Sequence, residues 1–184
     1  MDLNLAIIGT REPDLFQIDL AQEVAWTLST QLGIRIRTGG ADGVDYLAMM
    51  GTHPGMLDVF LPWGSYNRGK IPSLAACTVY DPKHHPLWTE SVTKYHPNPA
   101  ALSRGPFALH ARNYGIVDGA TACLALPGRD GSGGTGQGIR ICRGIGTPIG
   151  VHSKGTLTAQ SAQDVMQKLI AFYSDKQKAI LAAA

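Results

Sequence analysis

The sequence predicts a doubly wound α/β fold with a mainly parallel sheet. Short apolar segments alternate with longer amphipathic ones along the 184 residues, and three glycine-bearing segments follow apolar ones directly. Parallel neighbours need crossover connections, which helices between the strands supply, so this alternation favours a parallel sheet covered on both faces. In such sheets ligands bind beyond the carboxyl ends of the strands, where we expect the glycine-bearing loops to meet.

The first half of the chain is predicted to contain three strands and two helices. Apolar residues from Leu3 to Gly9 indicate a buried strand, and Pro13 with Asp14 supplies the chemistry of a helix start. A four-residue apolar repeat then continues until Gly33 ends the helix. The elements predicted next are a strand over 34–38, a turn over 39–43, a helix over 44–50 and a strand over 57–61.

The second half begins with an irregular segment, taken as an insertion over one sheet edge at about 62–106. It is rich in proline, aromatic residues and histidine, with at most a short strand at 77–80 and a short helix at 88–94. The elements predicted next are a helix over 107–117, a strand over 122–126, a helix over about 135–143 and a strand over 148–151. A last helix is predicted to start near Ser161. Its buried stripe is expected to consist of Val165, Leu169, Phe172 and Tyr173. The length favours a single domain over 1–184.

Composition excludes several classes of protein. The net charge is +2 with no long basic run, which argues against tight binding of duplex DNA. Three widely spaced cysteines indicate neither a disulfide framework nor a zinc site. No apolar stretch approaches the length of a membrane span, and no secretory signal opens the chain. We therefore expect a cytoplasmic protein with no membrane association, no metal and no cofactor.

The segment TGGADGVD at 38–45 is the first candidate ligand loop. Gly39 and Gly40 after a strand, followed by Ala41 and Asp42 before a helix, allow backbone N–H groups to form an anion-binding nest. Asp45 could accept a hydrogen bond from a ribose hydroxyl. The alternative is an ordinary tight turn with Asp42 as the N-cap of the helix and Asp45 as a partner of its dipole.

The second candidate loop carries six glycines between positions 128 and 138. A structural turn needs one or two, so the surplus predicts a phosphate close to the backbone, with hydroxyl donors beside it. The alternative is a flexible surface loop. The residues predicted to bind are Gly128, Ser132, Gly133, Gly134, Thr135 and Gly136.

The segment HARN at 110–113 lies near the beginning of the predicted helix that precedes the strand over 122–126. Arg112 could pair bidentately with a phosphate and Asn113 could read a base or ribose edge, although a surface arginine is the alternative. Three histidines in the irregular segment, His84, His85 and His96, have no carboxylate at ligand spacing and do not predict a metal site. The run from Gly64 to Lys70 resembles a P-loop, but Ile71 and Pro72 follow where a Ser or Thr would hold magnesium.

These motifs together resemble the SLOG superfamily, which includes the Lonely-Guy phosphoribohydrolases, the DNA-processing protein A core and the YspA-like proteins. The resemblance rests on IIGTR at 7–11, TGGADGVD at 38–45, ARN at 111–113 and LPG with GGT at 126–135. It implies a Rossmann-like fold and adds Gly9, Thr10 and Arg11 to the ligand-binding residues. Pro62 with Trp63 is most similar to the YspA-like branch, and HHPLW and LHARN resemble segments of phage-encoded proteins, which implies a bacterial host cytoplasm.

The resemblance implies a site that binds a nucleotide or a nucleotide-derived small molecule, as a sensor, sequestering or regulatory module. Lonely-Guy enzymes cleave an N-glycosidic bond with an arginine and a glutamate. Arg112 matches the arginine, but Gly138 stands at the glutamate position, so a phosphoribohydrolase would need Asp118, Asp130 or Glu90 instead. Binding of single-stranded DNA ranks third, because Lys and Arg are scattered. The family also implies a homo-oligomer.

Overall fold

The structure is a computed structural model that describes residues 3–183. The six strands are β1 (Asn4–Gly9), β2 (Arg35–Thr38), β3 (Leu57–Leu61), β4 (Ala76–Val79), β5 (Ala122–Leu126) and β6 (Ile149–Val151). The α-helices are α1 (Leu15–Gln31), α2 (Val44–Gly51), α3 (Pro86–Tyr95), α4 (Arg104–Val117), α5 (Gly133–Ile145) and α6 (Ala159–Ala182). Three short 3₁₀ turns lie at Pro54–Met56, Arg68–Lys70 and Pro99–Ala101.

The six strands form one sheet in the order β4-β3-β2-β1-β5-β6, and every neighbouring pair is parallel. This confirms the predicted α/β class and its Rossmann-like form. The chain moves outward from β1 through β2 and β3 to β4, then returns to place β5 on the other side of β1. The loops after β1 and β5 therefore separate at this topological switch point, where ligands bind in such folds.

Helices cover both faces of the sheet and enclose two apolar layers. On one face, α1, α2 and α6 pack over the sheet, with Leu20, Val24 and Leu28 of α1 buried among strand side chains such as Leu5 and Ile36. On the other face, α3, α4 and α5 bury a second cluster that includes Ile116 and Ile141. Burial on both faces explains why the central strands β1 and β5 are almost continuously apolar, whereas β2 alternates between Arg and apolar or Thr side chains.

The helix starts show which capping residues the chain uses. Asp14 caps α1 as expected: its side chain accepts a hydrogen bond from the backbone N–H of Gln17, whose amide oxygen accepts from the Asp14 N–H. The last helix, predicted to start near Ser161, begins two residues earlier, at Ala159. Thr158 is the N-cap of α6, and Ser161 is the third helical residue that completes the reciprocal capping pair.

The segment over 62–106, expected to lie over one edge of the sheet, contributes the edge strand and part of the second core. β4 pairs with β3, and α3 packs against α4 with Trp88 and Val92 buried. The aromatic ring of Trp88 lies so close to Gly115 of α4 that a side chain at that position would overlap it. Trp88 of this segment therefore packs against α4 on the side of Gly115, away from the face that carries Pro106, Leu109 and Asn113.

Candidate functional site

A crevice of about 460 Å³ opens at the carboxyl ends of the strands, at the switch point between β1 and β5. Its volume is within the range of ligand sites in proteins. Four parts of the chain form its walls: the loop after β1, the segment from Ala41 to Asp45, one face of α4, and the loop from Gly128 into α5.

Most residues predicted to bind a ligand lie in this crevice. Regions about a hundred residues apart in sequence meet there because their strands are neighbours in a parallel sheet. The predicted residues that line it are Gly9, Thr10, Arg11, Ala41, Asp45, Arg112, Asn113, Gly128, Ser132, Gly133, Gly134 and Thr135.

Arg112 and Asp45 form a buried ion pair in the lining of this crevice. The Arg112 Nη2 lies 3.5 Å from the Asp45 Oδ2, and each residue is only 5% exposed. The same carboxylate oxygen accepts a hydrogen bond of 3.3 Å from the backbone N–H of Ala41. Burial raises the pKa of the Asp45 carboxyl, and the positive charge of Arg112 opposes that rise. The alternative of a surface arginine is therefore wrong.

Gly39 is needed because the Arg112 guanidinium lies directly against its Cα. A Cβ at Gly39 would overlap that guanidinium and would come within 2.5 Å of the Asp45 Oδ2. Arg112 also has an unused donor, since its buried Nε has no hydrogen-bond partner within residues 3–183. A buried, incompletely bonded arginine that borders a crevice is suited to binding an anionic or carbonyl-bearing ligand.

The glycine-rich loop presents the first turn of α5 to the crevice. Gly131 and Gly133 have φ values of 60° and 66°, which only glycine adopts without strain. Ser132 is the N-cap, but its hydroxyl donates to Asp130 at 2.6 Å and does not bond the helix N–H groups. The first N–H groups of α5, beginning at Gly133, are therefore available to an anion.

A polar network joins α4 to α5 beside this turn. Asn113 donates through Nδ2 to the Gly134 carbonyl at 3.1 Å and to the Gln137 Oε1 at 3.0 Å. His110 Nδ1 lies 2.7 Å from the same Gln137 oxygen. Burial lowers the pKa of His110, and the neighbouring His96, Arg112 and Arg140 lower it further, while the bond to Gln137 opposes these effects.

Gly40, Asp42 and Gly136 do not line the crevice, and neither does Gly39. Gly40 has a φ of 69° and faces the Leu61 and Val59 side chains. Asp42 is exposed and pairs with Lys70, while the N-cap of α2 is Gly43, so the suggested Asp42 cap is wrong. Gly136 is buried against the Gly131 carbonyl inside its own loop.

Sequence reasoning missed several lining residues on α4. Pro106, Leu109 and His110 line the crevice together with Asn113. Their spacing of three and four residues is that of one helix face, so helical periodicity applied around Asn113 would have found them. Glu12 and Ile8 also line the crevice, next to the predicted Gly9 to Arg11 segment.

The carboxylates considered as substitutes for a catalytic glutamate lie in different places. Asp130 lines the crevice, whereas Asp118 is the C-cap of α4 beyond its far end and Glu90 is exposed on α3. Gly138 is buried, and a Cβ there would lie 2.6 Å from the Ile8 Cδ1. A glutamate at position 138 would therefore require the Ile8 side chain to shift.

The histidines of the irregular segment make local contacts. His84 pairs with Asp81 at 2.8 Å, His85 stacks on Trp88, and His96 packs edge-on against His110 with ring centroids 4.4 Å apart. Among residues 3–183, no group of three His, Cys, Asp or Glu side chains is arranged to hold a metal ion. Within the same range, none of the helices is long and apolar enough to span a membrane.

The fold is Rossmann-like, and the crevice lies at the switch point of its parallel sheet. The chain is similar to DNA processing protein A from Helicobacter pylori, for which a single-stranded DNA binding mode has been described. The TM-score is 0.65 at 18% identity, over 93% of this chain and 81% of that chain. These values show a shared fold alone.

Two further solved structures match the chain with lower TM-scores. DNA processing protein A from Streptococcus pneumoniae matches with a TM-score of 0.57 at 15% identity, over 92% of this chain and 56% of that chain. The Moco carrier protein from Chlamydomonas rheinhardtii matches with a TM-score of 0.46 at 15% identity, over 99% of both chains. No protein-family model and no curated protein sequence matches the chain.

Proposed function

We propose that the protein binds a nucleotide or a nucleotide-derived small molecule in the crevice, as a sensor, sequestering or regulatory module. The observation that carries this proposal is the buried Arg112, held by Asp45 and Gly39 and left with an unpartnered Nε. An ion pair in the interior contributes little net stability, so stability alone does not account for a buried guanidinium at the wall of a crevice.

The two ends of such a ligand have complementary surfaces in the crevice. The first turn of α5 offers backbone N–H groups and the positive end of a 13-residue helix to a phosphate. The apolar side chains of Pro106 and Leu109 offer a wall to the flat face of a base. Asp45, which also lines the crevice, carries the acceptor expected for a ribose hydroxyl.

The test is a thermal-shift screen of nucleoside mono- and diphosphates, followed by isothermal titration of each hit. The informative variants are Arg112→Lys, which keeps the charge but loses the planar fork, and Arg143→Lys, a matched control on the exposed end of α5. We expect the first to weaken binding at least tenfold and the second to leave it unchanged. Failure of every nucleotide to bind the parent protein contradicts the proposal.

Nucleotide N-glycosidase activity is the first alternative, because Asp130, Glu12 and Asp45 all border the crevice. None of them stands at the position of the Lonely-Guy glutamate. Asp130 has its carboxylate bonded to the Ser132 hydroxyl and backbone N–H, which lowers its pKa. A carboxylate so stabilised is a weak general base, and this supports binding over cleavage.

Binding of single-stranded DNA is the second alternative. Trp63 follows β3 at the carboxyl edge of the sheet, is 39% exposed, and contacts Tyr66 edge-on. An exposed aromatic ring near Arg68 and Lys70 could stack with a base. Fluorescence anisotropy of a labelled oligothymidylate distinguishes DNA binding from nucleotide binding in the crevice. Trp63→Ala is expected to weaken binding of the oligonucleotide if DNA is the ligand. It is expected to have no effect on a nucleotide bound in the crevice.

A further inference from the structure

The hydrogen-bond network between α4 and α5 determines which atom of His110 carries its proton. The Gly134 carbonyl can only accept, so the Asn113 atom 3.1 Å from it must be the amide nitrogen. That nitrogen is also 3.0 Å from a Gln137 side-chain atom, which must therefore be the oxygen. The oxygen in turn needs a donor from His110, so Nδ1 carries a hydrogen.

A neutral imidazole with a hydrogen on Nδ1 has a lone pair on Nε2. Within residues 3–183, no hydrogen bond to Nε2 of His110 is formed, while His110 itself lines the crevice beside Leu109 and Pro106. Gln137, which sets the tautomer, is fully buried, so its amide cannot turn without breaking two bonds. The lining of the crevice thus includes an imidazole whose Nε2 is free to accept a hydrogen bond.

We propose that His110 is a specificity-determining residue, whose Nε2 accepts a hydrogen bond from the exocyclic amino group of the base of the bound nucleotide. This inference rests on the proposed function. Pro106 and Leu109, on the same face of α4 as His110, suit the flat face of a base, and the free N–H groups at the start of α5 suit its phosphate. Gln137 and Asn113 act as positioning residues that hold His110 in the accepting form.

The experiment compares nucleotides that differ only in one amino group. The pairs are GMP with IMP, AMP with purine riboside 5′-monophosphate, and CMP with zebularine 5′-monophosphate, each titrated by calorimetry at pH 7.5. A ligand that leaves a buried acceptor unpaired loses affinity, so we expect about a tenfold preference for the amino-bearing member of at least one pair. Equal affinities within every pair overturn the role of His110 while leaving the proposed function intact.

Two variants test whether His110 is responsible for the preference. His110→Phe keeps an aromatic ring against His96 but has no lone pair, and it is expected to bind both members of the preferred pair equally. His84→Phe, which replaces an exposed histidine outside the crevice, is the matched control and keeps the preference. Retained preference in His110→Phe overturns the proposal.

The tautomer can be measured without any ligand or variant. A long-range ¹H–¹⁵N spectrum of the parent protein at pH 7.5 is expected to show His110 with its hydrogen on Nδ1. The opposite tautomer also overturns the proposal. If no nucleotide binds the parent protein at all, the proposed function itself fails, which is a different result from equal binding within the pairs.

Discussion

At the scale of single residues, the Arg112–Asp45 pair has the largest consequences. Both side chains are buried, and the Arg112 Nε has no hydrogen-bond partner within residues 3–183. Removal of either charge would leave the other buried without its partner and would destabilise the fold. A negatively charged ligand that binds Arg112 would also change the charge around Asp45. Ligand binding and folding stability are therefore linked through this pair. A surface arginine would not link them.

Arg112→Ala is expected to lower the free energy of unfolding by about 3–5 kcal/mol, because it leaves the Asp45 carboxylate buried without its partner. Urea denaturation at pH 7 measures the change. The double variant Arg112→Met/Asp45→Asn removes both charges and is expected to recover most of the loss. A single variant as stable as the parent protein would show that Asp45 is solvated.

His110 is expected to make stability depend on pH. Its pKa is lowered in the folded protein, so between that value and the ordinary value of 6.5 the unfolded chain binds more protons. Stability therefore falls as the pH drops below about 6.5 and is unaffected above it. The charged and titratable groups near His110 are His96, Arg112 and Arg140. A positive charge on any of them disfavours protonation of His110.

Thermal unfolding of the parent protein and of His110→Phe between pH 5 and 7.5 checks this sign. The variant is expected to lose less stability on acidification than the parent. His152, whose pKa burial also lowers, is present in both proteins and cancels in the comparison. Parallel curves for the two proteins would contradict the prediction.

At the scale of elements, the glycines near the site do different things. Gly131 and Gly133 allow the left-handed backbone that turns the chain into α5, whereas Gly39 and Gly138 are small because a neighbouring side chain occupies the space of their Cβ. The loop between β2 and α2 thus positions Arg112 more than it binds a ligand by itself. Its contribution to the crevice comes through Ala41 and Asp45.

Gly39→Ala is expected to displace the Arg112 guanidinium. The added methyl group overlaps it, so we expect a loss of about 1–3 kcal/mol in stability and a loss of nucleotide affinity by at least tenfold. Gly64→Ala is the control, because nothing within residues 3–183 lies within 4 Å of its Cβ position. Denaturation and calorimetry of both variants give the result, and unchanged affinity in Gly39→Ala would separate Arg112 from the ligand.

At the scale of the whole molecule, the parallel order β4-β3-β2-β1-β5-β6 creates one crevice from segments distant in sequence. The two halves of the sheet diverge beside β1, and each half contributes one wall. A ligand held between them would stabilise the fold by about 2.7 kcal/mol at a hundred times its dissociation constant. Nucleotide binding should therefore be visible in the melting temperature.

The protein is expected to bind nucleoside monophosphates without cleaving them efficiently. Cleavage needs a carboxylate that activates water and stabilises the charge developing on the ribose, and Gly138 supplies none. Incubation with AMP, CMP, GMP, UMP and their deoxy forms, followed by chromatography for free base, measures this directly. Base release near or above about one per second would establish an enzyme and direct attention to Asp130 or Glu12.

The sequence alone was sufficient for the order and type of the main elements. Strands β3 and β5 have the predicted bounds, and the start of α1 at Asp14 is confirmed, because apolar runs and capping residues act through neighbours in the chain. The motif positions at 9–11, 41, 45 and 128–135 supplied much of the crevice lining, because each of these segments follows a strand of a parallel sheet, and Arg112 and Asn113 join them from α4.

Only the tertiary structure decided what each residue in those motifs contacts. Gly39 and Gly40 are adjacent in sequence, yet one faces Arg112 and the other faces Leu61, because the backbone reverses between them. Arg112 is 67 positions from Asp45, and His110 is 27 positions from Gln137. Such pairs are set by strand order and helix packing, which no local pattern encodes, so the burial of the ion pair and the tautomer of His110 could be determined only from the folded chain.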